Sequence, residues 1–286
     1  MKYTYRPWRF FLTVFVLTWL FWIAAAVVSR TPTGAGASMA LMLLGLFVPS
    51  ATAIVTVLKS KSAALKLDFR QKLFGAFRVR PLVVLRAIAV FAGVIAASIL
   101  LSTLVGESLN QFAFVEDFSF SIGGVSTLLT LVLTALLEEL GWRGYAKDAI
   151  ASYCSWWKAS IIFGAVWAMW HLPLFGIAGT YQNIIMSQNP LYAASFIVGI
   201  IPMSFLFTWV YVKNNRSIFA CMIFHFFVNL LQEQIAMTQI TKCVETVVLY
   251  AVAVVVVACN KELFFDTKHV GNLLQETEQQ GGRHYV

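Results

Sequence analysis

TALLEELGWRGY, residues 134–145, sets two adjacent carboxylates, Glu138 and Glu139, at the end of a stretch that otherwise reads as a membrane span. An ionisable group at a bilayer centre costs roughly 3 kcal/mol on insertion scales, so such residues face a protein interior or a water-filled cavity. The rest of the chain makes the placement stand out. It is 59% hydrophobic and 12% charged, with a mean hydropathy of +0.77, which excludes an ordinary soluble globule.

Eight apolar segments extend outward from this one, each near the ~20 residues a spanning helix needs. They cover roughly 8–29, 37–58, 82–105, 123–142, 159–179, 191–212, 217–235 and 243–259. The seventh is the weakest, because His225, Asn229, Gln232 and Gln234 dilute it, and seven spans stay open as an alternative. Charge supports eight. With the N-terminus cytosolic, 18 of the 21 Lys and Arg residues fall on the cytosolic side, as the positive-inside rule requires. The opposite side keeps Arg30 and Lys242, and Arg86 lies just inside the third span. An even number of spans then leaves both termini cytosolic. The net charge of +8 is therefore topological, and nucleic acid is excluded as a partner.

The fold class expected is all-α: a polytopic membrane protein with about eight transmembrane helices around an intramembrane polar chamber. One domain is expected over 1–259, with a motif core at 123–235 and a polar cytosolic tail at 260–286. The first apolar run is too long for a cleaved signal and reads as an anchor. Cys154, Cys221, Cys243 and Cys259 are scattered without metal-type spacing and read as packing residues. The segment 59–81 interleaves cations with Leu and Phe and reads as an amphipathic helix on the cytosolic leaflet. The stretch 106–124 reads as a far-side loop, and 274–286 as a disordered tail.

Three polar sites share one depth. Counted at ~1.5 Å per residue, Glu138, His171 and His225 all lie between the cytosolic boundary and the midplane. Glu139 and Arg143 are four apart, so a carboxylate–guanidinium pair is natural, while Glu138 is rotated about 100° away and is left free to face the histidines. His225 and Asn229 share a face in the same way. Trp167 stands one turn before His171, and Pro173 just after it kinks or ends that helix. Hydrolysis of an amide bond needs such a set: a carboxylate in a dry pocket to take a proton from water, and imidazole or amide groups to stabilise an oxyanion. No HExxH zinc helix is present, although Glu138, His171 and His225 are chemically able to bind zinc.

The ordered set EExxxR, FxxxH and HxxxN resembles the motifs of the CPBP family of intramembrane proteases, also called the ABI or CAAX-protease-like family, which includes type II CAAX prenyl endopeptidases and bacteriocin-linked proteins. Here the motifs are Glu138-Glu139…Arg143, Trp167…His171 and His225…Asn229, with Trp167 where the family has Phe. The resemblance implies that Glu138 activates water assisted by His171, that His225 and Asn229 form the oxyanion hole, and that Glu139, Arg143 and Trp167 support the site. It implies an intramembrane endopeptidase acting on a membrane-associated peptide, prenylated CAAX-type or simply hydrophobic. The family name says metalloprotease. The lack of HExxH, of a nearby Cys and of a third His favours a metal-independent route, with the metal question left open.

The partners expected are the lipid bilayer and a peptide or protein substrate at the membrane. The location expected is the cell membrane of a prokaryote or the endoplasmic reticulum of a eukaryote. Two other readings stand beside the protease: a catalytically inactive regulator or bacteriocin-immunity scaffold of the same family, and a membrane transporter. The absence of an inverted repeat weighs against the transporter.

Overall fold

Proline starts three of the long helices, where its missing N–H is one of the helix's orphans and its φ is already helical. These are α1 (Pro7–Val28), α4 (Pro81–Ser102) and α9 (Pro190–Lys213). A hydroxyl cap starts five others, accepting a backbone N–H three residues on: Ser62 for α3 (Ala63–Phe74), Ser155 for α7 (Trp156–Trp170), Thr180 for α8 (Tyr181–Gln188), Ser217 for α10 (Ile218–Gln234) and Thr238 for α11 (Gln239–Cys259). The remaining helices are α2 (Ala35–Lys59), α5 (Thr127–Gly141), α6 (Lys147–Ala151) and α12 (Lys261–Phe265). This computed structural model describes residues 3–75, 78–115 and 127–274, and among them the fold is all-α, with a single isolated β-bridge, Phe114 to Ile235. The start of the fourth expected span, the second half of the far-side loop and nearly all of the 274–286 tail lie outside the described residues.

Eight helices overlie the eight expected segments. Six of them, with short 3₁₀ extensions on two, are long and apolar enough to cross a membrane. α10 is a shorter apolar helix of 17 residues, and α5 has 15 among the described residues. These two carry the carboxylates, His225 and Asn229. α10 packs against α5, α4 and α9, so protein rather than lipid solvates its polar residues. The long helices turn apolar side chains outward instead: Leu12, Val16 and Leu20 on α1, Leu82 and Leu85 on α4, Val247 and Val254 on α11 are all exposed. In water that surface would be prohibitive; against lipid it is the normal face of an integral, multi-pass membrane protein.

Close helix approach rests on small residues. A Cβ on Gly141 would sit 2.5 Å from Pro49 Cβ and 2.6 Å from its carbonyl carbon, so α2 presses directly on the end of α5. A Cβ on Gly164 would lie 3.0 Å from Ile201 Cα, where α7 crosses α9.

The segment 59–81 differs from the expected surface helix. α3 buries Leu65, Asp68 and Lys72, so its inward face is charged rather than apolar. Lys72 Nζ lies 3.0 Å from Asp68 and 2.8 Å from Asp148 of α6, and Arg216, in the α9–α10 turn, reaches Asp68 at 2.6 Å and Asp148 at 2.7 Å. Burial opposes the Arg216 charge, yet Asp68 and Asp148 hold its pKa well above the ordinary arginine value. The chain beyond Cys259 also packs back: Phe264 and Leu273 are buried, Arg216 donates to the Leu273 carbonyl, and His269 stacks on Trp156 at 5.0 Å.

Candidate active site

The α5 helix ends in a π-turn, Trp142–Ala146, before α6 continues it. Such wide turns disturb the normal i→i−4 ladder and cluster at functional sites. Here the carbonyls of the turn have outside partners. Tyr211 Oη donates to the Arg143 carbonyl at 3.0 Å, and Lys72 Nζ donates to the Gly144 carbonyl at 3.0 Å. The buried charge cluster therefore grips the segment that carries Arg143.

Arg143 Nη1 pairs with Glu139 Oε1 at 2.8 Å, the expected i,i+4 contact. The guanidinium also lies over the rings of Phe207 at 4.4 Å and Phe163 at 5.1 Å, so a fully buried charge is held by one carboxylate and an aromatic cage. His225 Nδ1 is 2.9 Å from the same Glu139 oxygen. A carboxylate only accepts, so Nδ1 carries the proton and Nε2 is turned away from it. His171 caps α7 and its Nδ1 is 2.7 Å from the Trp167 carbonyl, which fixes the same tautomer. Its helix gives way to a 3₁₀ turn at Leu172–Gly176, the break expected at Pro173.

Glu138 is not free. Its Oε2 accepts two indole N–H bonds, from Trp142 at 3.2 Å and Trp167 at 2.9 Å. Oε1 has no partner among the described residues. The expected face-to-face arrangement of Glu138 with both histidines is thus modified. His225 is tied to Glu139, while His171 stays within electrostatic reach of both Glu138 and His225. Trp167 stands between the two imidazoles, with ring centroids 6.0 Å from His171 and 5.9 Å from His225. Asn229 is half-buried one turn beyond His225 and makes no side-chain hydrogen bond among the described residues.

A zinc ion on Glu138, His171 and His225 does not fit this arrangement. Among the described residues no three His, Cys, Asp or Glu side chains converge as a ligand set. One oxygen of Glu138 is already taken by two indoles.

All seven motif residues come from three elements, α5 with its π-turn, α7 and α10, and Glu138, Arg143, His171 and His225 meet around Trp167. The sequence reading missed Trp142, although its i+4 spacing from Glu138 was a usable signal. It also missed Asp68, Lys72, Asp148, Tyr211 and Arg216, whose association joins residues up to 148 positions apart.

Two comparisons bear on this constellation. A family model described as Type II CAAX prenyl endopeptidase Rce1-like matches residues 121–231, the stretch that holds every motif residue. A protein from Methanococcus maripaludis named CAAX prenyl protease 2 is 41% identical over 265 residues, 93% of this chain and 98% of that protein.

Proposed function

Since the chain belongs to the Rce1-like family of type II CAAX prenyl endopeptidases and is an intramembrane protease, we propose that it cleaves a prenylated CAAX-type peptide at the membrane through a water activated by Glu138. The observation that carries this reading is the state of the Glu138 carboxylate. It is 4% exposed, with one oxygen pinned by two indole N–H groups and the other unpaired toward the site. A carboxylate so held keeps its orientation while Oε1 takes a proton from water.

The water's oxygen then attacks the scissile carbonyl, and the resulting oxyanion needs donors. His225 supplies one from Nε2 in its doubly protonated form, its Nδ1 kept on Glu139 at 2.9 Å. The Asn229 amide supplies the second. His171, its Nδ1 held by the Trp167 carbonyl, offers Nε2 to orient the water. As the C–N bond breaks, Glu138 returns the proton to the leaving amine, so the carboxylate ends as it began. Arg143 holds Glu139 in place without touching substrate. No step runs through a metal. The cation-rich end of the bundle is assigned to the cytosol, and the site opens toward it.

The test is cleavage of a prenylated CAAX peptide by the purified protein in detergent, with and without chelator. Glu138→Gln should lower kcat by about 10³-fold while thermal stability stays near that of the parent, and chelator should change little. Undiminished cleavage by Glu138→Gln sinks the assignment and returns the chain to the regulator or scaffold reading.

A further inference from the structure

A cavity lies apart from the proteolytic centre, at the cation-rich end of the α1–α2 hairpin. Its volume is about 940 Å³. Four cations line it: Arg6 and Arg9 at the start of α1, Lys59 at the end of α2, and Lys61 just beyond. No carboxylate is among its lining residues, and much of the remaining wall is hydroxyl, including Thr13, Thr52, Thr56 and Tyr145. None of the four cations forms an ion pair among the described residues. This is unlike Lys72, Arg143 and Arg216, each of which has a buried carboxylate.

Four exposed cations around one cavity, with no carboxylate among them, raise the local positive potential and draw an anion from outside. Phosphate suits the set: guanidinium groups give forked donors, lysines give point charges, and hydroxyls fill the remaining acceptor sites. The surroundings identify the source. Below the cavity, toward the bundle's middle, α1 exposes Leu12 and Val16 and α2 exposes Val55 and Leu58, with Trp8 exposed at the rim. An anion bound here has an apolar, lipid-facing wall beside it and an interfacial tryptophan at its edge, the setting of a lipid headgroup rather than of a soluble ion.

We propose that this cavity binds the phosphate headgroup of an anionic lipid, whose acyl chains lie along the exposed faces of α1 and α2. The site is coupled to the catalytic segment. Tyr145 belongs to the π-turn two residues after Arg143, its hydroxyl is 2.9 Å from Tyr3 Oη, and it accepts the Arg6 backbone N–H at 3.1 Å. A headgroup that fixes Arg6 and Arg9 thereby steadies the N-terminal segment against the π-turn.

The experiment uses the full chain in neutral detergent. Phosphatidylglycerol, phosphatidylcholine and inorganic phosphate are titrated separately, and bound lipid is counted by native mass spectrometry beside a thermal-shift readout. Phosphatidylglycerol should bind saturably and raise Tm, and phosphatidylcholine should do neither. The pairs Arg6→Gln/Arg9→Gln and Lys59→Gln/Lys61→Gln should each weaken it by on the order of tenfold, and Arg6→Lys/Arg9→Lys should retain it. Glu138→Gln should bind lipid as the parent does, which separates this site from the proteolytic reading. Equal lipid binding by the glutamine pairs overturns the proposal, as does a Tm rise with inorganic phosphate as large as with lipid. A higher KM for peptide in those variants, with lipid binding unchanged, gives the cavity to the substrate instead.

Discussion

Trp167 occupies a position where the family motif has Phe, and the indole does something a phenyl ring cannot: it donates to Glu138 Oε2 at 2.9 Å. A hydrogen bond to a charged group is worth roughly 1.5–3 kcal/mol, and losing it leaves the carboxylate held by Trp142 alone. Trp167→Phe keeps the aromatic stack against Phe163 and both imidazoles but removes that donor. We expect kcat to fall by about tenfold with KM little changed, because the indole orients Glu138 and does not meet substrate. Steady-state kinetics at several peptide concentrations separates the two constants; a parental kcat would show that Trp142 suffices. Glu139 is shared differently. One of its oxygens serves both Arg143 and His225, which explains how two adjacent carboxylates in one span do unlike work.

At the scale of elements, the π-turn and α3 form one device. The turn widens the helix just where Arg143 must leave α5 for its aromatic cage, and its buried carbonyls are satisfied by Lys72 and Tyr211. Lys72 in turn is held by Asp68 and Asp148, which Arg216 also bridges. Removing one member of such a buried cluster strands the others. Arg216→Met should therefore cost about 3–5 kcal/mol, visible as a lower Tm in detergent, and should lower peptidase activity through the loosened π-turn. An unchanged Tm would mean that the cluster contributes nothing to stability.

For the whole molecule, the asymmetry of cations along the chain sets an orientation that labelling can check. Lys61 and Gln188 are both exposed and belong to opposite ends of the bundle in the proposed topology. In a background with the four cysteines replaced, Lys61→Cys on intact cells should resist an impermeant maleimide, and Gln188→Cys should react. The reverse pattern would place both termini outside and turn the site away from the cytosol. The same view of the whole explains α10: it packs against α5, α4 and α9, so its polar residues meet protein rather than lipid.

Hydropathy, helix starts and motif order are local properties, and they were enough to place eight helices, the break after His171 and the Glu139–Arg143 pair. These depend on residues within a turn or two of each other, or on a summed preference for lipid. Which carboxylate meets which histidine is another matter. His225 and Glu139 are 86 residues apart, and their pairing depends on the rotation of α10 against α5. The same holds for α3, whose Asp68 and Lys72 looked like surface charge until α6 and the α9–α10 turn supplied partners 76 and 148 residues away. Periodicity says which residues share a helix face. Only packing decides what that face meets, and here it gave Glu138 two indoles and Glu139 the histidine.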